Sequence, residues 1–231
     1  MITRFALPVS AAALLAGVVL QADANPGVVY HDSATDIGSV ADANGTANIL
    51  SCEVSHTATD IQFSLTVNGN VPGTDWAKFM IGISSPSSAT KTTSGNGWGR
   101  PINFSNNGGM NYWVGTWVDW GGGAQTWENG SAGWAGPSGG SSISFSGTNV
   151  TITVNRAAIG MAGNGTFLFD VYTSGGGTGD GAIDALSTNS VSMANWGDSF
   201  TTTNALSYSI PAPGALALVG LAGLIGRRRK A

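Results

Sequence analysis

The side chains that could do chemistry are few, and the densest group lies between Gly108 and Gly123, in GGMNYWVGTWVDWGGG. Four aromatic rings, Tyr112, Trp113, Trp117 and Trp120, fall within nine residues. On an extended strand successive side chains point to opposite faces. That split puts Tyr112, Val114, Thr116, Val118 and Trp120 on one face and Trp113, Gly115, Trp117 and Asp119 on the other. The valines mark the first face as core. The second leaves Trp113 and Trp117 about 7 Å apart along the strand, a flat platform on which a pyranose ring could stack through its C–H edge. Asn111, Asp119 and Gln125 stand beside these rings as hydrogen-bond partners for sugar hydroxyls. In the alternative arrangement both faces are covered, one by a second sheet and the other by glycine loops carrying Trp98, Trp127 and Trp134. Spacing leaves both open.

Acidic loops form a second group. SGGGTGDGAIDAL offers Asp180 and Asp184, and DIGSVADANGT offers Asp36, Asp42 and Asn44. Oxygen ligands of this type suit a structural Ca2+ ion, although neither spacing is that of the twelve-residue calcium loop and Asp or Asn before Gly is also turn chemistry. His31, His56 and the single Cys52 have no transition-metal spacing. Catalysis is disfavoured by the same inventory. No GxSxG elbow accompanies the histidines, and Glu128 with Asp119, the aromatic-flanked carboxylate pair, has nothing that marks it as an acid and base. The expectation is a protein that is not an enzyme.

The elements that must position these residues have a period of two. ANILSCEVSHTATDIQFSLTVNG alternates Leu50, Cys52, Val54 and then Ile61, Phe63, Leu65, Val67, which predicts an antiparallel hairpin with one wet face. AKFMIGIS, TFLFDVYTS and ALSYSI read as further strands, SISFSGTNVTITV as a second hairpin, and NRAAIGM as a helical turn. Together they predict an all-β fold, an antiparallel two-sheet β-sandwich of jelly-roll type. Cys52 falls on the apolar face of its strand as a buried thiol. Glycine, 35 of 231 residues, is about twice its usual share and concentrates in loops. Between Asn25 and Ser209 four basic residues face twelve acidic ones, a net charge of −8, which argues against nucleic acid as a partner.

Both ends read as addresses outside the domain. Residues 1–24 combine a basic start, a sixteen-residue apolar run containing Pro8 and the small-x-small ADA ending at Ala24, the pattern that signal peptidase reads. Residues 210–231 hold Pro211-Ala212-Pro213, thirteen mostly apolar residues, and the cluster Arg227, Arg228, Arg229, Lys230. A helix over that apolar run is short of the hydrocarbon core, and the basic cluster would stay cytoplasmic. Short apolar helices are therefore expected at each end, outside a domain spanning 25–209.

The tail resembles the PEP-CTERM sorting signal of bacteria, also labelled in some classifications an ice-binding protein C-terminal domain, with Ala212 where the pattern has glutamate. That resemblance implies transient membrane insertion, cleavage by an exosortase near the prolines, and delivery to the cell surface or extracellular matrix. Within the domain, DANGTANILSCEVSHTATDIQFSLTV, WAKFMIGIS, NVTITVNRAAIG and FLFDVYTSGGGTGDGAIDAL resemble the DOMON and family 9 carbohydrate-binding superfamily. This resemblance implies a sandwich that binds sugar or, in some branches, haem, the latter disfavoured by the shortage of histidines for axial ligation. The expected function is that of a non-catalytic module binding a polysaccharide, with a purely structural surface protein as the alternative. On this reading, protein recovered from the cell surface lacks the residues after about Pro213. Mass spectrometry checks this, and an intact Arg227–Lys230 tail on surface material would contradict it.

Overall fold

The computed structural model describes residues 27–37, 44–74, 76–190 and 193–212. In chain order the strands are β1 (Val28–His31), β2 (Ile49–His56), β3 (Asp60–Val67), β4 (Lys78–Ser84), β5 (Ile102–Phe104), β6 (Tyr112–Trp117) and β7 (Gly123–Gly130). The second half adds β8 (Gly133–Ser138), β9 (Ser141–Ser146), β10 (Asn149–Asn155), β11 (Gly165–Ser174), β12 (Asp184–Ala185), β13 (Phe200–Thr202) and β14 (Leu206–Ile210).

The first sheet has the order β1-β2-β3-β10-β9 and is antiparallel throughout. From Cys52 onward its alternation is the one expected: Cys52, Val54, Ile61, Phe63, Leu65, Val67, Val150, Ile152 and Val154 are buried, with serines, threonines and Gln62 turned the other way. Leu50, expected on the same face, is only half-buried, because an irregularity between Ile49 and Ser51 shifts the register and buries Ile49 in its place. In the β9–β10 hairpin Ile143 lies opposite Ile152 and Phe145 opposite Val150. Burial pushes the Cys52 thiol pKa up, so it behaves as a small apolar side chain. The expected turn in NRAAIGM is a single 3-10 turn, Ala157–Ile159.

The second sheet has the order β12-β11-β4-β6-β7-β8, with β14 also paired to β11. Phe167, Phe169 and Val171 of β11, Phe79, Ile81 and Ile83 of β4, and Tyr112 and Val114 of β6 meet the apolar face of the first sheet in one core. Two antiparallel sheets sharing one core make a β-sandwich. The second sheet differs in burying its outer face as well. Met80, Met110, Trp113 and Tyr172 pack there with Ile102, Phe104, Ala182 and Ala185, and all seven residues of β4 are buried.

The cover on that outer face is mostly irregular chain, from the segments between β4 and β6 and after β12, stitched by the parallel pair β5–β13. Irregular backbone inside a protein needs polar partners, and buried side chains supply them. Asp170 accepts hydrogen bonds from the backbone N–H groups of Val171 and Ser187 and from the hydroxyls of Ser187 and Thr202. Burial pushes its carboxyl up to about 6. Among the described residues no helix is long and apolar enough to cross a membrane. Pro211 directly follows β14; Ala24, Pro213, Arg227, Arg228 and Arg229 lie outside the described residues.

Candidate functional site

Strand β6 lies between β4 and β7 within the second sheet, and both its faces are covered, Tyr112 and Val114 in the core between the sheets and Trp113 in the outer layer. Trp113 has no exposed surface and stacks on Tyr172, with ring centroids 5.8 Å apart and planes at 22°. The outward platform of Trp113 and Trp117 is therefore not formed. The covered arrangement is the one observed, with Trp98, Trp127 and Trp134 packed against the outer layer. Glycines make this cover possible: a Cβ on Gly115 would stand 2.3 Å from the Trp98 ring, and one on Gly97 2.3 Å from Trp127. Trp117 is half-buried and tilted against Trp98 at 6.4 Å. Trp113 and Trp127 each bury an indole N–H without an acceptor, a cost of about 1–3 kcal/mol apiece that the apolar area of each ring must offset.

The polar residues beside these rings serve the same layer. Asn111 is fully buried; its Oδ1 accepts from the Ser85 N–H at 2.8 Å and its Nδ2 donates to the Ser85 carbonyl at 3.2 Å. Gln125 Oε1 accepts from the Trp98 indole N–H at 3.0 Å. Asp119 is ion-paired with Lys78 at 3.1 Å.

Alternation ends at Trp117, and this overturns the core placement of Trp120. Val118 stays buried, but Asp119–Gly121 form a 3-10 turn in which Trp120 takes φ +56° and is 97% exposed. Lys78 Nζ donates both to Asp119 and to the Trp76 carbonyl, each at 3.1 Å, so the turns carrying Trp120 and Trp76 are tied together at the start of β4. Trp76 meets Trp196 edge to face at 6.1 Å, and both rings are more than one-third exposed. The loop after β11 runs against this pair: a Cβ on Gly175 would stand 2.6 Å from the Trp196 ring. Arg100 holds that loop, donating to the Gly175 carbonyl at 3.1 Å and to Ser174 Oγ at 2.6 Å, with its guanidinium 5.4 Å from the centre of the Trp98 ring. Three exposed indoles thus occupy one end of the second sheet. Trp76 and Trp196 went unnoticed in sequence because each stands alone among turn residues, in GTDWA and ANWGD.

The acidic candidates are rearranged in a similar way. Asp36 and Asp184 come together with Asp32, and one oxygen from each lies within 4.8 Å of the others. Asp180 does not join them; its carboxylate closes its own loop on the Gly177 N–H at 2.8 Å. Asp42 lies outside the described residues. Burial, reinforced by the charge of Asp184, pushes the Asp32 carboxyl up to about 8, and burial likewise pushes Asp184 up to about 7 and raises Asp36. Among the described residues no basic side chain pairs with any of the three. Asp32 was legible only as a partner four residues before Asp36 in HDSATDI.

Comparison with family models, with curated proteins and with solved structures finds no match. The two faces of the aromatic stretch therefore have to be separated by experiment. Trp113→Ala truncates a buried ring and should cost about 3–5 kcal/mol. Trp120→Gly removes an exposed ring from a left-handed backbone position and should leave stability unchanged or raised. Urea unfolding of both variants measures the contrast; similar losses in the two would contradict these placements.

Proposed function

We propose that the protein is an exported, non-catalytic module of the cell surface or extracellular matrix that binds a neutral polysaccharide through the rim formed by Trp76, Trp120 and Trp196. The observation that carries this reading is Trp120, a bulky residue at positive φ with its ring almost wholly in solvent. Left-handed backbone costs such a residue roughly 1–2 kcal/mol, and an exposed ring recovers none of it by burial. Strain of this kind, where a loop presents a side chain, points to a contact made outside the fold. Indole faces suit the C–H faces of pyranose rings, and each stacking contact contributes on the order of 1 kcal/mol. One sugar is then held weakly, and a polymer engaging several rings or several copies is held by multivalency. The net charge of −8 between Asn25 and Ser209 favours neutral chains over polyanions.

Export rests on the two terminal segments, with signal peptidase acting after Ala24 and an exosortase near Pro211 and Pro213. It is supported by the last strand ending at Ile210, immediately before Pro211. The burial of Trp113, with the partly buried Trp127 packed in the same layer, favours a second reading, a structural surface protein with no ligand, because tryptophan in this chain can be core material. Affinity electrophoresis through gels containing neutral polysaccharides separates the two. Retardation should be strong for the wild type and lost in Trp76→Ala/Trp120→Ala/Trp196→Ala, with the cooperative thermal transition kept. A wild type retarded by none of the polymers would leave the structural reading standing.

A further inference from the structure

We propose that Asp32, Asp36 and Asp184 bind one calcium ion, which clasps the segment following β1 to the seam between the two sheets. Three stretches distant in sequence meet there. Asp32 donates its backbone N–H to the Leu50 carbonyl at 3.1 Å, the Asn48 Nδ2 donates to the Ala34 carbonyl at 3.0 Å, and the Ile49 N–H donates to Asp184 Oδ2 at 2.7 Å. Asp184 belongs to β12 at the edge of the second sheet and Ile49 to β2 in the first, so an ion at this point joins both sheets.

Acidic residues at a surface are common, and proximity alone says little. Here Asp36 and Asp184 are inside the protein, Asp32 is partly so, and several of the oxygens are idle. Asp36 is 3% exposed, yet among the described residues neither of its carboxylate oxygens has a hydrogen-bond partner outside the acidic cluster, and nor does Asp32 Oδ2. Asn48, also 3% exposed and held against the Asp32–Asp36 loop, buries an Oδ1 that accepts nothing. Buried polar atoms are otherwise almost always satisfied, and three carboxyl groups this close cannot all carry their charge unless a cation joins them. A divalent cation answers both problems.

The donor set and its size select the ion. All donors are hard oxygens, which suit Ca2+ or Mg2+ over the later transition metals. Two oxygens on a calcium ion at 2.3–2.6 Å stand no more than about 5 Å apart, and the three carboxylate oxygens meet that limit at 4.8 Å. Mg2+ keeps several waters and avoids all-protein cages, whereas Asp36 and Asp184 are nearly sealed from solvent.

The test uses the full-length protein stripped with EGTA, titrated with CaCl2 in a calorimeter and melted with and without the ion. One ion should bind per chain, and the melting temperature should rise with calcium concentration by mass action, with a smaller rise for MgCl2. Asp36→Asn removes a charge but, among the described residues, no hydrogen bond that Asp36 accepts from outside the acidic cluster, so this variant should fold. In EGTA it should melt at or above the wild type. In calcium it should lack the wild-type rise, with affinity reduced by more than the roughly 10–100-fold that losing an outer-shell partner costs. Asp32→Asn should behave alike, and Asp180→Asn should keep the full response. Equal melting of the wild type in EGTA and in excess calcium would overturn the site, as would an Asp36→Asn variant that responds like the wild type or an Asp180→Asn variant that does not respond.

Discussion

A sheet buried on both faces has to find apolar cover twice, and most of this structure follows from how the second cover is provided. Antiparallel sheets commonly leave one face to water, as the first sheet does here. The second sheet meets the first on its inner face and a layer of tryptophan, tyrosine and methionine on its outer one. Among the described residues the two-stranded pair β5–β13 is the one piece of sheet in that layer. The rest is carried by loops, and loops can approach a sheet closely only where side chains are missing, which is the part played by Gly115 beneath Trp98 and Gly97 beside Trp127.

Loops used as cover bring their peptide groups inside, where each needs a partner. This accounts for the buried polar residues better than a ligand does. Asn96 serves the Arg100 and Ile102 carbonyls, Asn111 serves Ser85, Asp170 gathers Val171, Ser187 and Thr202, and Arg100 holds the loop after β11. Arg156 does the same at another loop, donating to the carbonyls of Thr57, Ala58, Met161 and Gly163, with no acidic partner among the described residues. The acidic cluster and the aromatic rim differ in kind. Among the described residues the carboxylate oxygens of Asp36 and Oδ1 of Asn48 are buried with no partner outside the acidic cluster, and at Trp76, Trp120 and Trp196 the apolar area is formed and uncovered.

The sandwich itself was legible wherever one face is wet. β2, β3, β9 and β10 alternate in sequence because water and core alternate around them, and their hairpins lie where the period predicts. Strand β6 defeats the same reasoning, since Trp113 and Val114 are equally buried and alternation no longer distinguishes core from surface. β5, β12 and β13, two or three residues each, are too short to show a period. Trp120 was misplaced because alternation was carried past Trp117 into a 3-10 turn. Of the acidic residues, Asp36 and Asp184 were legible as oxygen ligands, but their convergence is a tertiary fact. The sequence neighbour of Asp184, Asp180, turned out to close a turn of its own.

The dependence of the fold on a buried aromatic layer, with indoles left free only at the rim, can be read from solvent access tryptophan by tryptophan. Brief oxidation of the native protein, followed by peptide mass spectrometry, ranks the rings directly. The account predicts that Trp120 oxidises fastest, Trp76 and Trp196 next, and Trp113 only when the protein is unfolded. Oxidation of Trp113 in the native protein at the rate of Trp120 would contradict it.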